Sequence, residues 1–440
     1  MTSSSIDGDY SQVQLSTEIV TGRNVSFRED SSLFGREFRR ILTRTDGVDE
    51  PNDSTCGQIP VLDLFSGCGG LSYGFHFIEQ SLRTFKLIEA IDTDIHANAT
   101  YRANFGLKPK QLDLLSIPPI EVAEMIRKDS DVDAPIVIGG PPCVAFSSHK
   151  KKDKRQDERS SLVVRFAETA VELNARLIIM ENVPDLLGKR HWRHFQEFWS
   201  VLADHGYHIS YEIFNMASFG VPQSRHRLIC IASRNFIPSL PIGMLKEGSF
   251  NTVRDAIGDL PQLQAGEQSA SDPLHVTSRH RKATVELIKQ VPLDGGSRPK
   301  GVGPECLDRV HGFFDVYGRL HWDRPSITLT ARCRTPSCGR YVHPEQHRGL
   351  SVREASLLQG FPPDFKFEGP FDDKFKQIGN SVPPLFSLAL ALHVRGLVDG
   401  FIPPLTSKQQ IPGKPPFGSY SGSIAAKKRR RNIRRRDYMP

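Results

Sequence analysis

Short apolar runs and longer stretches of helical period alternate along the first half of the chain. The runs IPVLDLF (59–65), KLIEAID (86–92), APIVIGG (134–140) and ARLIIM (175–180) each have the length of a strand buried on both faces. Between and after them, 160–173 and 191–204 carry apolar residues at helical spacing. Strands separated by helices predict a mostly parallel, doubly wound α/β sheet of the Rossmann-like kind, with helices on both faces. HISYEIFNM (208–216) and HRLICIAS (226–233) follow one another without a helical stretch between them, so an antiparallel hairpin is expected to close one edge.

The rest of the pattern divides the chain. Residues 1–57 are polar and rich in Ser, Asp and Arg, which reads as a loosely ordered extension, and 58–235 form the α/β domain. Residues 236–346 are rich in Gly, Pro, Ser and Arg with little apolar period, the mark of a loop-rich second lobe. Apolar helical spacing resumes over 347–403, at Leu350, Val352, Ala355, Leu357 and Leu358 and again in SLALALHVRGLV (387–398), a segment expected to pack back on the first lobe. Residues 404–440 read as a Pro-, Gly- and Ser-rich linker ending in a basic tail.

Composition sharpens this outline. With 440 residues, 38% of them hydrophobic, the chain can bury a large core in two lobes, which excludes a disulfide miniprotein. The net charge of +7 suggests a polyanionic partner, yet KKRRRNIRRR (427–436) alone carries eight positive charges, and the remainder sums to −1. Seven cysteines, an odd and sparse set, fit a reduced intracellular protein. The N-terminal residues show no secretory pattern and no window of about 18 apolar residues is apparent. A soluble intracellular protein is therefore expected.

Candidate chemistry collects at the carboxyl ends of the predicted strands, where open α/β sheets bind ligands. DLFSGCGG (63–70) follows the first strand, and its glycines allow a sharp turn close to a ligand. A turn with no ligand would read the same. The loop has neither G-x-G-x-x-G nor G-K-S/T, which disfavours a pyrophosphate. Phe65 suits an adenine or a sulfonium, and Asp92, at the end of the next strand, suits ribose hydroxyls. S-adenosyl-L-methionine has adenosine and no phosphate, and it fits both.

The strand at 134–140 runs into Gly-Gly-Pro-Pro-Cys143, where two prolines stiffen and expose the turn that carries the thiol. A lone cysteine is otherwise a small buried hydrophobe. The next strand ends in Glu181-Asn182-Val183, so a thiol and a carboxyl are aimed into one cleft, as covalent catalysis requires. In QSRHR (223–227) strand alternation puts Arg225 and Arg227 on one face, unless they are ordinary surface charge.

In order and spacing, DLFSGCGG, GGPPCVAFS, ENV, QSRHR, REASLLQGFP and QIGNSVPP resemble the motifs of the DNA (cytosine-5) methyltransferase family, over residues 59–395. That resemblance implies that Cys143 adds to carbon-6 of cytosine, that Glu181 hydrogen-bonds or protonates nitrogen-3, and that Arg225 and Arg227 position the base. It implies cofactor contacts from Phe65, Gly67, Gly69, Asp92, Asp113, Leu162 and Asn380, and DNA contacts from Ser147, Arg159 and Gln223. The run HKKKDKRQDER (149–159) would grip phosphates while the base is flipped out, though a solvated charge run looks alike. Residues 236–335 would hold the target-reading side chains, with Arg332, Arg334 and Arg340, near Thr328 and Thr330, as candidates for base or phosphate contact. Duplex DNA is the implied partner, with a cognate restriction endonuclease outside this chain; a monomer with no membrane contact is expected.

The chain departs from the family pattern at Val144, where many members carry a polar residue able to fill the space left by the flipped base. Cys333, Cys338, His343 and His347 invite a zinc reading, but four residues between the ligand pairs are too few for a finger, so no metal is expected. RNA cytosine methylation and a non-catalytic DNA-binding regulator remain as alternatives. A dehydrogenase would leave the PPC and ENV motifs without a purpose.

Overall fold

The computed structural model describes residues 33–43, 58–130, 132–142, 162–309 and 315–424. Its centre is a six-stranded sheet built from β1 (Ile59–Leu64), β2 (Phe85–Ile91), β3 (Ile136–Gly139), β4 (Leu177–Asn182), β5 (His208–Asn215) and β7 (His226–Ser233), with β6 (Gln223–Ser224) lying between the last two in sequence. The spatial order is β2-β1-β3-β4-β7-β5. The first four strands are parallel, and β7 runs antiparallel to both β4 and β5. The expected doubly wound sheet and its antiparallel edge are both present.

The apolar strands are covered on two sides. On one face Val61, Ile136, Ile138, Ile179 and Ile229 pack with Phe75 and Ile78 of the helix Ser72–Leu82 and with the helix Pro384–Val398. On the other, Leu62, Val137, Ile178 and Leu228 meet Phe166 of the helix Leu162–Glu172 and Phe195 and Phe198 of the helix Trp192–Asp204. Burial on this scale, about 25 cal/mol per Å² of apolar surface, is the main term favouring the fold. Gly139 is required where β3 meets β1, because a Cβ there would stand 2.2 Å from the carbonyl oxygen of Leu64.

A third cluster builds the second lobe. Val253, Ile257, Leu320, Trp322, Leu350, Val352, Phe361 and Phe375 pack together, and Cys68 of the first glycine loop joins them. A two-stranded parallel pair crosses between the lobes, matching Gln223 with Ser326 and Ser224 with Ile327. Inside the second lobe Arg348 holds Glu354 through two bonds of 2.8 and 2.7 Å, both side chains fully enclosed.

Two outer segments differ from expectation. The N-terminal extension contains a helix, Leu33–Thr43, whose Phe34 and Ile41 enter the sheet's apolar core, while the buried carboxylate of Glu37 lies against Gly220. Residues 404–424, expected as a linker, lie along the first lobe, where Ile411 and Phe417 pack on the second face of the sheet. LFGREFRRILT does carry Leu33, Phe34, Phe38, Ile41 and Leu42 at helical spacing, a short signal inside an otherwise polar extension, whereas the scattered apolar residues of 404–424 give no period. The stretch 371–398 is apolar enough by composition to resemble a membrane span, contrary to the sequence reading. It breaks into two helices at Ser381–Pro383, and 83% of its most apolar window is buried inside the protein.

Candidate active site

The carboxyl ends of β1, β2, β3 and β4 open onto a cavity of about 820 Å³. Backbone geometry creates its floor. Leaving β1, the chain is left-handed at Phe65 (φ 64°), Gly67 (φ 53°) and Gly69 (φ 89°), a conformation that the two glycines adopt without strain. Gly69 also has no room for a side chain, since a Cβ would lie 2.1 Å from the Phe105 ring. Phe65, Gly67, Asp92, Asp113, Leu162, Asn380, Glu181, Arg225 and Arg227 all line this space. Gly69 shapes the turn from behind.

At one end of the cavity, Asp92 accepts hydrogen bonds from the backbone N–H of Gly67 (2.8 Å) and of Asp94 (2.9 Å), which fixes the glycine turn to the end of β2. Burial raises its pKa in spite of those bonds. Asp63, the last-but-one residue of β1, is 1% exposed. One of its oxygens accepts from Ser72 Oγ at 2.5 Å, and Oδ1 has no partner. Burial pushes this carboxyl up to about 8, with the Ser72 bond only partly opposing it.

These features fit S-adenosylmethionine. A half-buried aromatic ring at Phe65 can face adenine, Asp92 and Asp113 can meet ribose or base polar atoms, and the unpartnered Asp63 oxygen is an acceptor that an ammonium would satisfy. Among the described residues that line the cavity, the basic side chains are engaged elsewhere, Lys376 with Asp94, Arg227 with Glu181 and Arg225 with backbone carbonyls, which leaves no basic cluster for a pyrophosphate.

At the other end, Glu181 is the last-but-one residue of β4 and Arg227 the second of β7, and Arg227 Nε stands 2.8 Å from Glu181 Oε1. Burial pulls the Arg227 pKa down and Glu181 opposes it. A Cβ on Gly140 would sit 3.5 Å from Glu181 Oε2, so the Gly-Gly-Pro-Pro turn runs past the carboxyl. Asn182 locks that approach, donating from Nδ2 to the Pro141 carbonyl (2.9 Å) while its Oδ1 accepts from the Val183 N–H (2.8 Å). Pro142 lines the cavity and is the last described residue before the thiol; Cys143, Val144, Ser147 and Arg159 lie outside the described residues.

Several expected contacts take other places. Arg225 is fully enclosed and donates to the carbonyls of Leu329, Gly379 and Ser381, stitching both lobes together beneath the cavity. Only its buried Nε lacks a partner, so its remaining donors are spent on backbone. Gln223 is 0% exposed, and its amide serves Leu358, Gln359 and Leu329, which leaves nothing for DNA in this conformation. Arg340 is likewise consumed, by Asp315, Ser297 and three backbone carbonyls. Thr328 and Thr330 bond to Ser224 and Tyr341. Arg332 is exposed, and Arg334 is half-exposed in a 2.6 Å ion pair with Asp372. Among the described residues no group of His, Cys, Asp or Glu is placed to hold a metal.

Asp63 and Asn182 were not singled out by the sequence. Each sits inside a recognised motif, but burial without a partner, or a bond to a distant carbonyl, is visible only in three dimensions.

Comparison with known proteins agrees with this geometry. The family model for C-5 cytosine-specific DNA methylase matches residues 59–394. The Type II methylase M.HgiDII of Herpetosiphon aurantiacus is 31% identical over 349 residues, covering 77% of this chain and 96% of that protein. The Type II methyltransferase M.Eco47II of Escherichia coli is 32% identical over 392 residues, with 86% and 88% covered. Among solved structures, a candidate DNA modification methyltransferase from an E. coli prophage superposes with a TM-score of 0.61 at 24% identity, covering 78% of this chain and all of that one, a likeness of fold. Residues from five of the six motifs, all but REASLLQGFP, line one cavity, and the family match spans most of the chain: this protein belongs to the C-5 cytosine-specific DNA methylase family.

Proposed function

We propose that this DNA cytosine-5 methyltransferase uses S-adenosylmethionine to methylate cytosine within a specific duplex sequence, through a covalent adduct on Cys143 with the target base flipped out of the helix. The observation that carries the reading is the Glu181–Arg227 pair at 2.8 Å beside the turn that leads into Cys143.

Cytosine carbon-5 is a weak nucleophile, and a free thiol is only a few per cent ionised at neutral pH, so both reactants need activation. The Cys143 thiolate adds to carbon-6. Glu181 holds or delivers a proton at nitrogen-3, which makes carbon-5 nucleophilic, and Arg227 balances the charge that develops there. The cofactor supplies an electrophilic methyl group carried on a sulfonium. Phe65, Asp63, Asp92, Asp113, Leu162 and Asn380 would hold it, and the glycine turn would bring backbone against it. Loss of the carbon-5 proton and departure of Cys143 release 5-methylcytosine.

Flipping a base costs a few kcal/mol, and contacts to phosphate offset it. Arg159, Ser147 and the exposed Arg332 and Arg334 are proposed for that interface, and the basic run at 427–436 for sequence-independent attraction to the duplex. The Type II relatives favour a place in a restriction-modification system; a nuclease on a separate chain and a soluble cytoplasmic monomer are proposed with it.

Duplex DNA containing 5-fluorocytosine tests the mechanism, because fluorine cannot leave as the proton does. The full chain should form a covalent complex that survives denaturation, and Cys143→Ala should form none. An adduct with Cys143→Ala would reject Cys143 as the nucleophile.

A further inference from the structure

Residues 402–424 lie beyond the region matched by the family model, yet they are bound to the first lobe along their length. Leu405 N donates to the Ile237 carbonyl at 2.9 Å. Gln409 occupies the open edge of β5, accepting from Tyr211 N (2.8 Å) and donating to Tyr211 O (3.2 Å), as a neighbouring strand would. Phe417 forms a parallel bridge with Gly188, its carbonyl accepting from Lys189 N at 3.1 Å. A Cβ on Gly188 would lie 3.3 Å from the Gly418 carbonyl oxygen, so the two segments touch. Tyr420 N then donates to Asp185 Oδ1 at 3.0 Å, and its ring lies 5.5 Å from that of His226.

Those last contacts fall on both sides of the catalytic pair. Asp185 and Gly188 belong to the turn that continues from Glu181 and Asn182, and His226 is the residue before Arg227. We propose that residues 402–424 form a strap that positions the Glu181–Arg227 pair, with Phe417, Tyr420 and Asp185 as its positioning contacts. This rests on the methyltransferase reading above. A strand end whose outgoing turn is held from outside cannot drift, and a drift of about 1 Å in a catalytic group costs on the order of a hundredfold in rate. The strap lines none of the cavity, so its effect passes through the turn.

The test compares methyl transfer to duplex DNA by the full chain, by a chain ending at 424, which keeps the strap and lacks the basic run, and by a chain ending at 403. Phe417→Ala, Tyr420→Ala, Asp185→Ala and Asp185→Asn are measured in the full chain, so the result stands even if truncation at 403 prevents folding. Loss of the strap should lower kcat about tenfold to a hundredfold relative to the chain ending at 424, with KM for DNA changed less than about threefold and cofactor affinity kept. Asp185→Asn keeps the Oδ1 acceptor and should retain most of the activity that Asp185→Ala loses. Strap variants that melt earlier but keep kcat would overturn the inference, as would equal behaviour of Asp185→Ala and Asp185→Asn. A full-length chain that transfers no methyl group to any cytosine in DNA would instead reject the methyltransferase reading, and the positioning claim with it.

Discussion

Arg227 Nε lies 2.8 Å from Glu181 Oε1 at the seam where the parallel part of the sheet meets its antiparallel edge, β4 pairing Asn182 with Leu228 of β7. An arginine on an antiparallel strand can meet an acid at the end of a parallel one only because β7 returns along β4 in the opposite sense. Glu181→Gln keeps the shape and a hydrogen-bonding group but cannot transfer a proton, so kcat should fall by about 10²–10⁴ with DNA affinity largely kept. Arg227→Ala should lose on the order of 10²-fold by removing the balancing charge. Steady-state kinetics on a duplex substrate checks both, and a Glu181→Gln enzyme at the parent rate would remove the acid from the mechanism.

Asn182 ties the thiol-bearing turn to the acid through Pro141. Asn182→Ala frees the Pro141 carbonyl and should lower kcat about tenfold to a hundredfold, with a stability loss of about 1–2 kcal/mol. Slower 5-fluorocytosine adduct formation in rapid-quench experiments is the expected sign. An unchanged adduct rate would show that the turn holds itself.

Asp63 makes a prediction about protons. Its carboxyl stands near 3.8 in the unfolded chain and about 8 in the fold, so between these values the folded state holds the extra proton and rising pH weakens the protein. The cofactor-free protein should lose stability between about pH 4 and 8 through this group, and Asp63→Asn should flatten that slope. If Asp63 meets the cofactor's ammonium, binding at pH 7 should release a proton, seen by calorimetry as a heat that depends on the buffer's ionisation enthalpy. Binding with no proton release would separate Asp63 from the ammonium.

The second lobe carries the opposite dependence. Burial would raise Glu354, but the Arg348 guanidinium overrides it and holds the carboxyl at about 2, while burial lowers His343 to about 4. The folded state resists protonation at both sites. Stability should therefore fall as pH drops from about 6.5 to 4 through His343, and from about 4.5 to 2 through Glu354. Glu354→Gln leaves Arg348 buried without an anion and should cost about 3–5 kcal/mol in urea unfolding. A loss below about 1 kcal/mol would mean that water reaches the pair.

Much of this arrangement was legible in the chain itself. Parallel strands buried on both faces wrote themselves as continuous apolar runs, so β1 to β4 and the antiparallel edge could be placed within a few residues. The ends of those strands supplied Phe65, Asp92 and Glu181 because open α/β sheets bind ligands there. Side chains that act across long sequence distances are not legible in the same way. Gln223, Arg225 and Arg340 sit in polar segments that suggest exposure, but each is drawn inward by carbonyls contributed from elsewhere in the chain, Arg225 and Gln223 by segments more than 100 residues away. The strap escaped notice for the same reason: Gln409, Phe417 and Tyr420 are scattered through Pro- and Gly-rich sequence, and nothing local signals the edge strand and turn that they meet.

Transfer of a methyl group to carbon-5 of cytosine in duplex DNA can be read directly from the labelled product. Labelled S-adenosylmethionine should be offered to the full chain with a mixed-sequence DNA duplex and, in parallel, with transfer RNA, and the nucleosides analysed after digestion. Label should appear in 5-methyldeoxycytidine from the duplex, at one sequence context, and none should appear with Cys143→Ala. Label confined to the RNA, or found on another base or ring position, would contradict it.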